Sequence, residues 1–418
     1  MKILLEAPIL TKSGYGEHSR LVYKAIMMRD DVEIYLNPLN WGTTTWSTPS
    51  QKMKEHISNY NNLVQYCNQN KVNPQFDIQV HVGIPNEFEK KAKYSVCVTA
   101  GIETDRVSPN WLTKTHQGID KIIVPSNHAR DGFVKTKYEL YNKSNNTKTI
   151  INCNCEVDVV PYPVKQLETK DLNLELKSNF NFLTVAMIGP RKNLDATVRT
   201  FVEEFRDEED VGLVLKTSSA RSCIMDRVQT REQLNYFLKD LGPRKCKVYL
   251  IHGNLTEEEI HSLYIHPKIK AYFTTTHGEG YGLPIFEAAY SGMPVIATDW
   301  SAHLDFLSGK HKNKNKKLFA KISCDIKKVQ PAAHWKDLIT EESKWAWINE
   351  KSAKNQLRKV YESYGMYKSW AGSLQKTILK THTEKEILLK MKESIFSENK
   401  EETISEIEEM FASLSEDS

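Results

Sequence analysis

The sequence predicts an α/β protein made of two consecutive doubly wound units followed by a helical extension. Two observations carry this expectation. Short apolar runs alternate with helical patterns twice along the 418 residues, and each alternation contains a glycine-bearing turn between a strand pattern and a helix pattern. Strands separated by helices pair in parallel and bury both faces, and this length exceeds what one hydrophobic core organises.

In the first unit, Lys2 to Leu5 reads as a strand and Ser13-Gly14-Tyr15-Gly16 as a loop, with Leu21, Ala25 and Met28 marking a helix. Further strand patterns lie at Val32 to Leu36, Phe76 to Val82, Tyr94 to Thr99, Lys121 to Val124 and Val157 to Val160, with helical patterns at Asn110 to Thr115 and Ala129 to Lys135. Residues 137 to 156 and 165 to 179 are polar, and a hinge is expected after Pro161-Tyr162-Pro163.

The second alternation has strand patterns at Phe180 to Ile188, Val211 to Lys216, Lys247 to Ile251, Ile269 to Thr274 and Pro294 to Thr298. Helical patterns fall between them at Leu194 to Phe205, Arg231 to Leu241, Thr256 to Ile265 and Pro284 to Ser291, and Thr256 with Glu259 has the spacing of a capping box. The expected organisation is a Rossmann-like unit over residues 1–165, a second over 166–360 and returning helices over 361–418. The last hundred residues read as almost wholly helical, with Trp370, Leu374 and Ile378 on one stripe.

With 40% hydrophobic and 26% charged residues, Gly 18 and Pro 15, the composition excludes collagen-like, disordered and whole-chain coiled-coil readings. Net charge is +4, but residues 398–418 contribute −7, leaving a basic body suited to an anionic ligand. That acidic tail carries an apolar stripe of Ile404, Ile407, Phe411 and Leu414. The run Lys310, Lys312, Lys314, Lys316, Lys317 and Lys321 reads as a solvated loop. Seven cysteines without a Cys-x-x-Cys pair argue against a disulfide framework or a zinc site, and Cys153 and Cys155 are expected to be inert thiols. The apolar start, Met1 to Leu10, is too short for a signal peptide, and no apolar run approaches the roughly 20 residues that span a bilayer. A cytoplasmic protein without integral membrane association is expected.

The strongest chemical signal is Thr276-His277-Gly278-Glu279-Gly280-Tyr281-Gly282-Leu283-Pro284-Ile285-Phe286-Glu287. A strand ends near Thr275, a glycine loop follows, Pro284 suits a first helical turn and Gly292 suits its stop. A helix start beside such a loop suits a phosphate. Glu279 at the mouth and Glu287, expected in the first turn, offer carboxylates to an elongated polyhydroxy ligand.

This segment resembles family 4 retaining glycosyltransferases of the GT-B fold, whose signature is two glutamates separated by seven residues in a Glu-Gly-(Phe/Tyr)-Gly-Leu-Pro context. The resemblance covers most of the chain. It implies two Rossmann-like domains facing a cleft and transfer of a sugar, with retention, from a UDP-, GDP- or ADP-sugar to an acceptor hydroxyl, expected to be carbohydrate. No cofactor beyond that donor and no metal is implied. Gly14-Tyr15-Gly16 matches the family's first glycine loop, which makes Gly14 and Gly16 donor-loop positions and Tyr15 an acceptor or donor-sugar candidate.

In Gly189-Pro190-Arg191-Lys192-Asn193, Lys192 matches the family's phosphate lysine, and Arg191 stands one position from the usual arginine in a shortened loop. The resemblance thus gives Lys192, Arg191 and Glu279 catalytic roles. Lys216, His252, Asn254, Gly280, Tyr281, Gly282, Leu283 and Glu287 complete the expected donor site. The segment from Thr99 to Arg106 resembles a subset of the family, with Glu103 and Asp105 as acceptor or donor-sugar candidates and, for Asp105, a structural alternative in capping or pairing with Arg106. Trp345-Ala346 resembles the segment that returns to the first domain. Two rivals remain: a transferase acting on modified bases of DNA, the one way nucleic acid would enter, and a degenerate GT-B binding protein.

Overall fold

In the computed structural model, residues 1–42, 44–142, 147–219 and 222–396 are described. Two six-stranded parallel sheets form the body. The first has the spatial order Glu33–Pro38, Lys2–Ala7, Phe76–Val82, Ala92–Val98, Lys121–Val124, Glu156–Val159. The second runs Lys247–Ile251, Val211–Lys216, Phe180–Val185, Ile269–Phe273, Val295–Thr298, Ala320–Ile322. Central strands are apolar on both faces because helices cover both: Ile3, Leu4 and Leu5 are all completely buried, as are Leu213 and Val214. Each such side chain contributes about 1.5–3 kcal/mol by leaving water.

The strand order positions the site. In the second sheet the order reverses between Phe180–Val185 and Ile269–Phe273, and the crevice beyond the carboxyl ends of such strands is where open α/β sheets bind ligands. The loops leaving these two strands carry Arg191 and Lys192 on one side and Glu279 on the other. In the first sheet the corresponding reversal lies beside Lys2–Ala7, whose following loop carries Gly14 and Gly16. Ser13 caps the helix Gly14–Ile26, its hydroxyl accepting the Gly16 N–H at 3.0 Å. The capping box at Thr256 and Glu259 is formed and opens the helix Glu257–Ile265.

Several expectations change. The polar stretch 137–156 contains an antiparallel pair, Lys137–Asn142 with Thr147–Asn152. The lysine run is a hairpin, Ser308–His311 with Lys314–Lys317, whose turn residues Lys312 and Asn313 both take positive φ. Lys316 lies over the Trp370 ring at 4.0 Å, and Lys317 and Lys321 pair with Asp299. The last hundred residues are not almost wholly helical: Cys324–Lys328 pairs with Lys344–Ile348, where Trp345 is completely buried. The 20-residue helix Gln51–Asn70 is additional.

Glu350–Glu362 packs on Leu194–Glu204, and Tyr364–Thr381 packs on Leu283–Tyr290, both within the second unit. The return to the first unit is made by Glu384–Phe396, which lies on Gly14–Ile26 with Ile387, Met391 and Ile395 completely buried. The chain thus crosses between units twice, and the crossings are bonded to each other by the Val164 N–H donating to the His382 carbonyl at 2.8 Å. The stripe Ile404, Ile407, Phe411 and Leu414 lies outside the described residues. No described helix is long and apolar enough to cross a membrane.

Candidate active site

The strand Phe180–Val185 runs into a single tight turn, Pro190–Lys192, closed by Asn193 at φ 50°. This loop is pinned to the glycine segment: the His277 N–H donates to the Arg191 carbonyl at 2.9 Å and Asn193 Nδ2 to the Thr275 carbonyl at 3.1 Å. As a result both basic side chains converge on one carboxylate. Lys192 Nζ lies 2.6 Å from Glu279 Oε1 and 2.9 Å from Oε2. Arg191 NH1 donates to Glu279 Oε2 at 2.7 Å and to the Gly278 carbonyl at 2.9 Å, while Thr276 Oγ1 donates to Glu279 Oε1 at 2.9 Å. From the first unit, Glu103 approaches Arg191 Nε at 3.3 Å.

Two cations therefore face two carboxylates. Burial alone would raise the Glu279 carboxyl, but Arg191 and Lys192 overcome it and hold it at about 2. Lys192 is shifted down by burial and by Arg191, while Glu103 and Glu279 more than offset the burial of Arg191 and raise it.

The glycines bring the second unit against the first. A Cβ on Gly278 would sit 2.1 Å from the Glu103 carbonyl oxygen, and one on Gly280 would sit 2.4 Å from that of Ala100. Ser126 Oγ closes the seam by donating to the Gly280 carbonyl at 2.7 Å. Gly282, at φ 92°, then turns the chain into the helix Leu283–Tyr290. The Ile285 and Phe286 amides both donate to the Gly282 carbonyl at 2.9 Å, and Pro284 has no N–H. The helix start thus offers a ligand fewer amides than the sequence suggests, with Leu283 the remaining first-turn donor. Tyr281 is buried, its ring 4.9 Å from that of Tyr162.

Glu287 lies one turn further in than expected, as the fifth residue of its helix. Its Oε2 accepts from Tyr264 OH at 2.9 Å, and burial raises its carboxyl to about 7, the Tyr264 bond opposing. It lines a cavity of about 310 Å³ with Glu17, Lys165, Glu257 and Tyr290. Lys165 Nζ reaches Glu17 Oε2 at 2.7 Å and Glu257 Oε1 at 3.0 Å, one carboxylate from each unit. The sequence reading missed Glu17, Lys165, Tyr264 and the clamping role of Thr276; only Glu17, next to Gly16, carried a local signal.

The remaining candidates fall in three places. A Cβ on Gly14 would lie 3.9 Å from Leu283 Cδ1, whereas one on Gly16 would run into the Thr11 carbonyl. Tyr15 OH bonds with Thr99 Oγ1 at 2.9 Å, with its ring 4.2 Å from that of Trp41. Lys216 Nζ donates to the Gly253 carbonyl at 2.8 Å and is shifted down by burial, and His252 Nε2 meets Asp226 Oδ2 at 3.0 Å beside the exposed Asn254. Asp105 holds the joint between units instead, with Oδ1 accepting the Lys344 N–H at 2.7 Å and its own N–H donating to the Lys344 carbonyl at 2.9 Å.

Two α/β units meeting across a charged, glycine-lined seam define a GT-B fold, and the solved structures agree. Anabaena Alr3699/HepE, solved with UDP and glucose, superposes with a TM-score of 0.59 over 95% of this chain and 100% of that one, at 12% identity. Sucrose-phosphate synthase from Thermosynechococcus elongatus does so at 0.57 over 94% and 97%, also at 12% identity. In sequence, 208 residues, 48% of this chain, are 26% identical to the serotype-specific mannosyltransferase WbdA of Escherichia coli, over 23% of that protein. A shorter stretch of 141 residues, 34% of this chain, is 20% identical to the GtfA subunit of the UDP-N-acetylglucosamine–peptide N-acetylglucosaminyltransferase of Streptococcus pneumoniae serotype 4, over 25% of it. The chain spans about a quarter of the length of these curated relatives. No family model matches. The chain therefore has the GT-B fold, and its relatives are glycosyltransferases.

Proposed function

We propose that this protein is a retaining glycosyltransferase that moves a sugar from a nucleotide-sugar donor to an acceptor hydroxyl, without a metal. The observation that carries this reading is the convergence of Arg191 and Lys192 on Glu279 at the strand-order reversal, beside the start of the Leu283–Tyr290 helix. A diphosphate placed there meets two fixed cations and the positive helix end as its charge grows during bond cleavage. Glu279, kept ionised, accepts hydrogen bonds from sugar hydroxyls, and Glu287 on the cavity wall does the same for the ribose. The departing phosphate oxygen takes the acceptor proton on the same face of the sugar, so configuration is retained. Arg191 and Lys192 stand where a metal-dependent transferase would place a divalent ion, which supports a metal-free reading.

In this reading residues 1–165 hold the acceptor, 166–360 hold the donor, and the later helices join the two. The UDP in one structural neighbour favours a uridine donor; a carbohydrate acceptor and a cytoplasmic location complete the proposal. The test is a screen of UDP-, GDP-, ADP- and CMP-sugars in EDTA for thermal stabilisation and slow nucleotide release. A donor that stabilises the wild type but not Glu287→Ala is expected. A folded protein that responds to none of them overturns the reading.

A further inference from the structure

Cys153 and Cys155 are not independent inert thiols. Their Sγ atoms lie 3.9 Å apart, and Cys153 Sγ is 3.5 Å from the Cys155 carbonyl oxygen. Both side chains are half-buried at the edge of the cluster around Phe88, Trp111 and Val157. The segment between them is fixed. The Asn154 N–H donates to Thr115 Oγ1 at 3.1 Å, and His116 Nε2 meets the Asn152 carbonyl at 2.9 Å, so both ends of the short loop are tied to one helix terminus.

The environment separates the two sulfurs. Contact with the Cys155 thiol is the largest influence on Cys153; it outweighs burial and, with His116 nearby, draws Cys153 down to about 7. Cys155 is pushed up by that same contact and by burial. Cys153 is thus the more readily ionised of the two sulfurs. Among the described residues no second pair of cysteines stands in such contact: Cys67, Cys97 and Cys246 are buried, Cys324 is half-buried and Cys223 is exposed.

We propose that Cys153 and Cys155 form a reversible dithiol–disulfide site that reacts with low-molecular-weight disulfides, Cys153 attacking and Cys155 resolving. In the first step the Cys153 thiolate attacks one sulfur of the small disulfide. A mixed disulfide forms on Cys153, and the other half leaves as a thiolate. In the second, Cys155 loses its proton to solvent and attacks Cys153 Sγ, expelling the second small thiolate. Two protein thiols are oxidised, one small disulfide is reduced to two thiols, and the two protons released end on those thiols. Closing the sulfurs from contact to bonding distance needs a movement of about 2 Å, within reach of side-chain rotation and adjustment of the intervening loop. The site does not depend on sugar transfer and stands or falls separately from it.

The test uses the full chain carrying Cys223→Ser, which removes the exposed thiol. The protein is equilibrated natively with mixtures of reduced and oxidised glutathione at pH 7, acid-quenched and mapped by peptide mass. Loss of two hydrogens from the peptide holding both cysteines is expected, reversed by excess dithiol. Cys155→Ser should stop at one glutathione on Cys153, while Cys153→Ser should acquire glutathione on Cys155 at least about tenfold more slowly. Absence of the internal disulfide in excess oxidised glutathione, or faster reaction at Cys155, overturns the proposal. If a variant fails to fold, alkylation of the otherwise unaltered chain decides: Cys153 must react first, with its rate rising through about pH 7.

Discussion

Glu279 and Glu287 belong to one loop and the helix that follows it, yet their surroundings drive their carboxyls in opposite directions. Glu279 is enclosed by Arg191, Lys192 and Thr276 and held at about 2; Glu287 has one neutral partner, Tyr264, and is raised to about 7. Burial acts on both, so the difference is made by the cations. In the proposed function the paired carboxylate is the one beside the leaving group, and the one left close to neutrality faces the ribose.

The largest expected effect comes from removing Lys192. Lys192→Ala should lower turnover by about 100-fold with retained folding, as loss of one charge-stabilising donor does; an unchanged rate measured by nucleotide release would move that role to Arg191 or Lys216. Next, Glu279→Ala leaves two half-buried cations facing Glu103 alone, and urea unfolding should show a loss of about 3 kcal/mol. The Glu279 contribution has a definite pH window. Its folded value lies below the ordinary 4.5, so the stabilisation is complete above that value and is lost as pH falls towards 2.

Glu287 should show the reverse. Its folded value lies above 4.5, so the protonated form stabilises the fold at low pH, and that stability is lost as pH rises through about 7. Glu287→Gln should therefore be more stable than the wild type at pH 8, by about 2 kcal/mol, with little difference at pH 4. Donor affinity should rise between pH 6 and 8 in the wild type and stay flat in the variant; a parallel rise in both would assign the titration to another group. The smallest effect separates the two glycine loops. Gly280→Ala would force a methyl into the Ala100 carbonyl and should weaken domain closure and donor binding, whereas Gly14→Ala meets only Leu283 and should change stability by less than about 1 kcal/mol. Equal responses would remove the distinction between the seam and the helix start.

What the sequence made legible follows the same physics. Phe76–Val82, Lys121–Val124, Val211–Lys216 and Lys247–Ile251 match their predicted bounds because each holds apolar residues in a run or in strict alternation between polar flanks. The helix Gln51–Asn70 was missed although Met53, Ile57, Tyr60 and Leu63 recur at helical spacing, because that stripe is only partly buried and is diluted by Asn, Gln and Lys. The two hairpins were missed because lysine- and asparagine-rich strands on the surface lack the alternation that marks a strand. At the site, the two loops bearing Arg191, Lys192 and Glu279 were legible, but their pairing with one another was not. The Lys165 bridge was not, since Glu17 and Glu257 lie 148 and 92 residues from it and meet only in space.

The two crossings between units lie side by side and share the bond from Val164 to His382. Such an arrangement puts both covalent links between the units side by side at one edge of the cleft. Ties formed elsewhere across the cleft, Ser126 to Gly280, Asn127 to Asp305, Arg191 to Glu103 and Asp105 to Lys344, are then members of a single set. Any opening about that edge has to break all four.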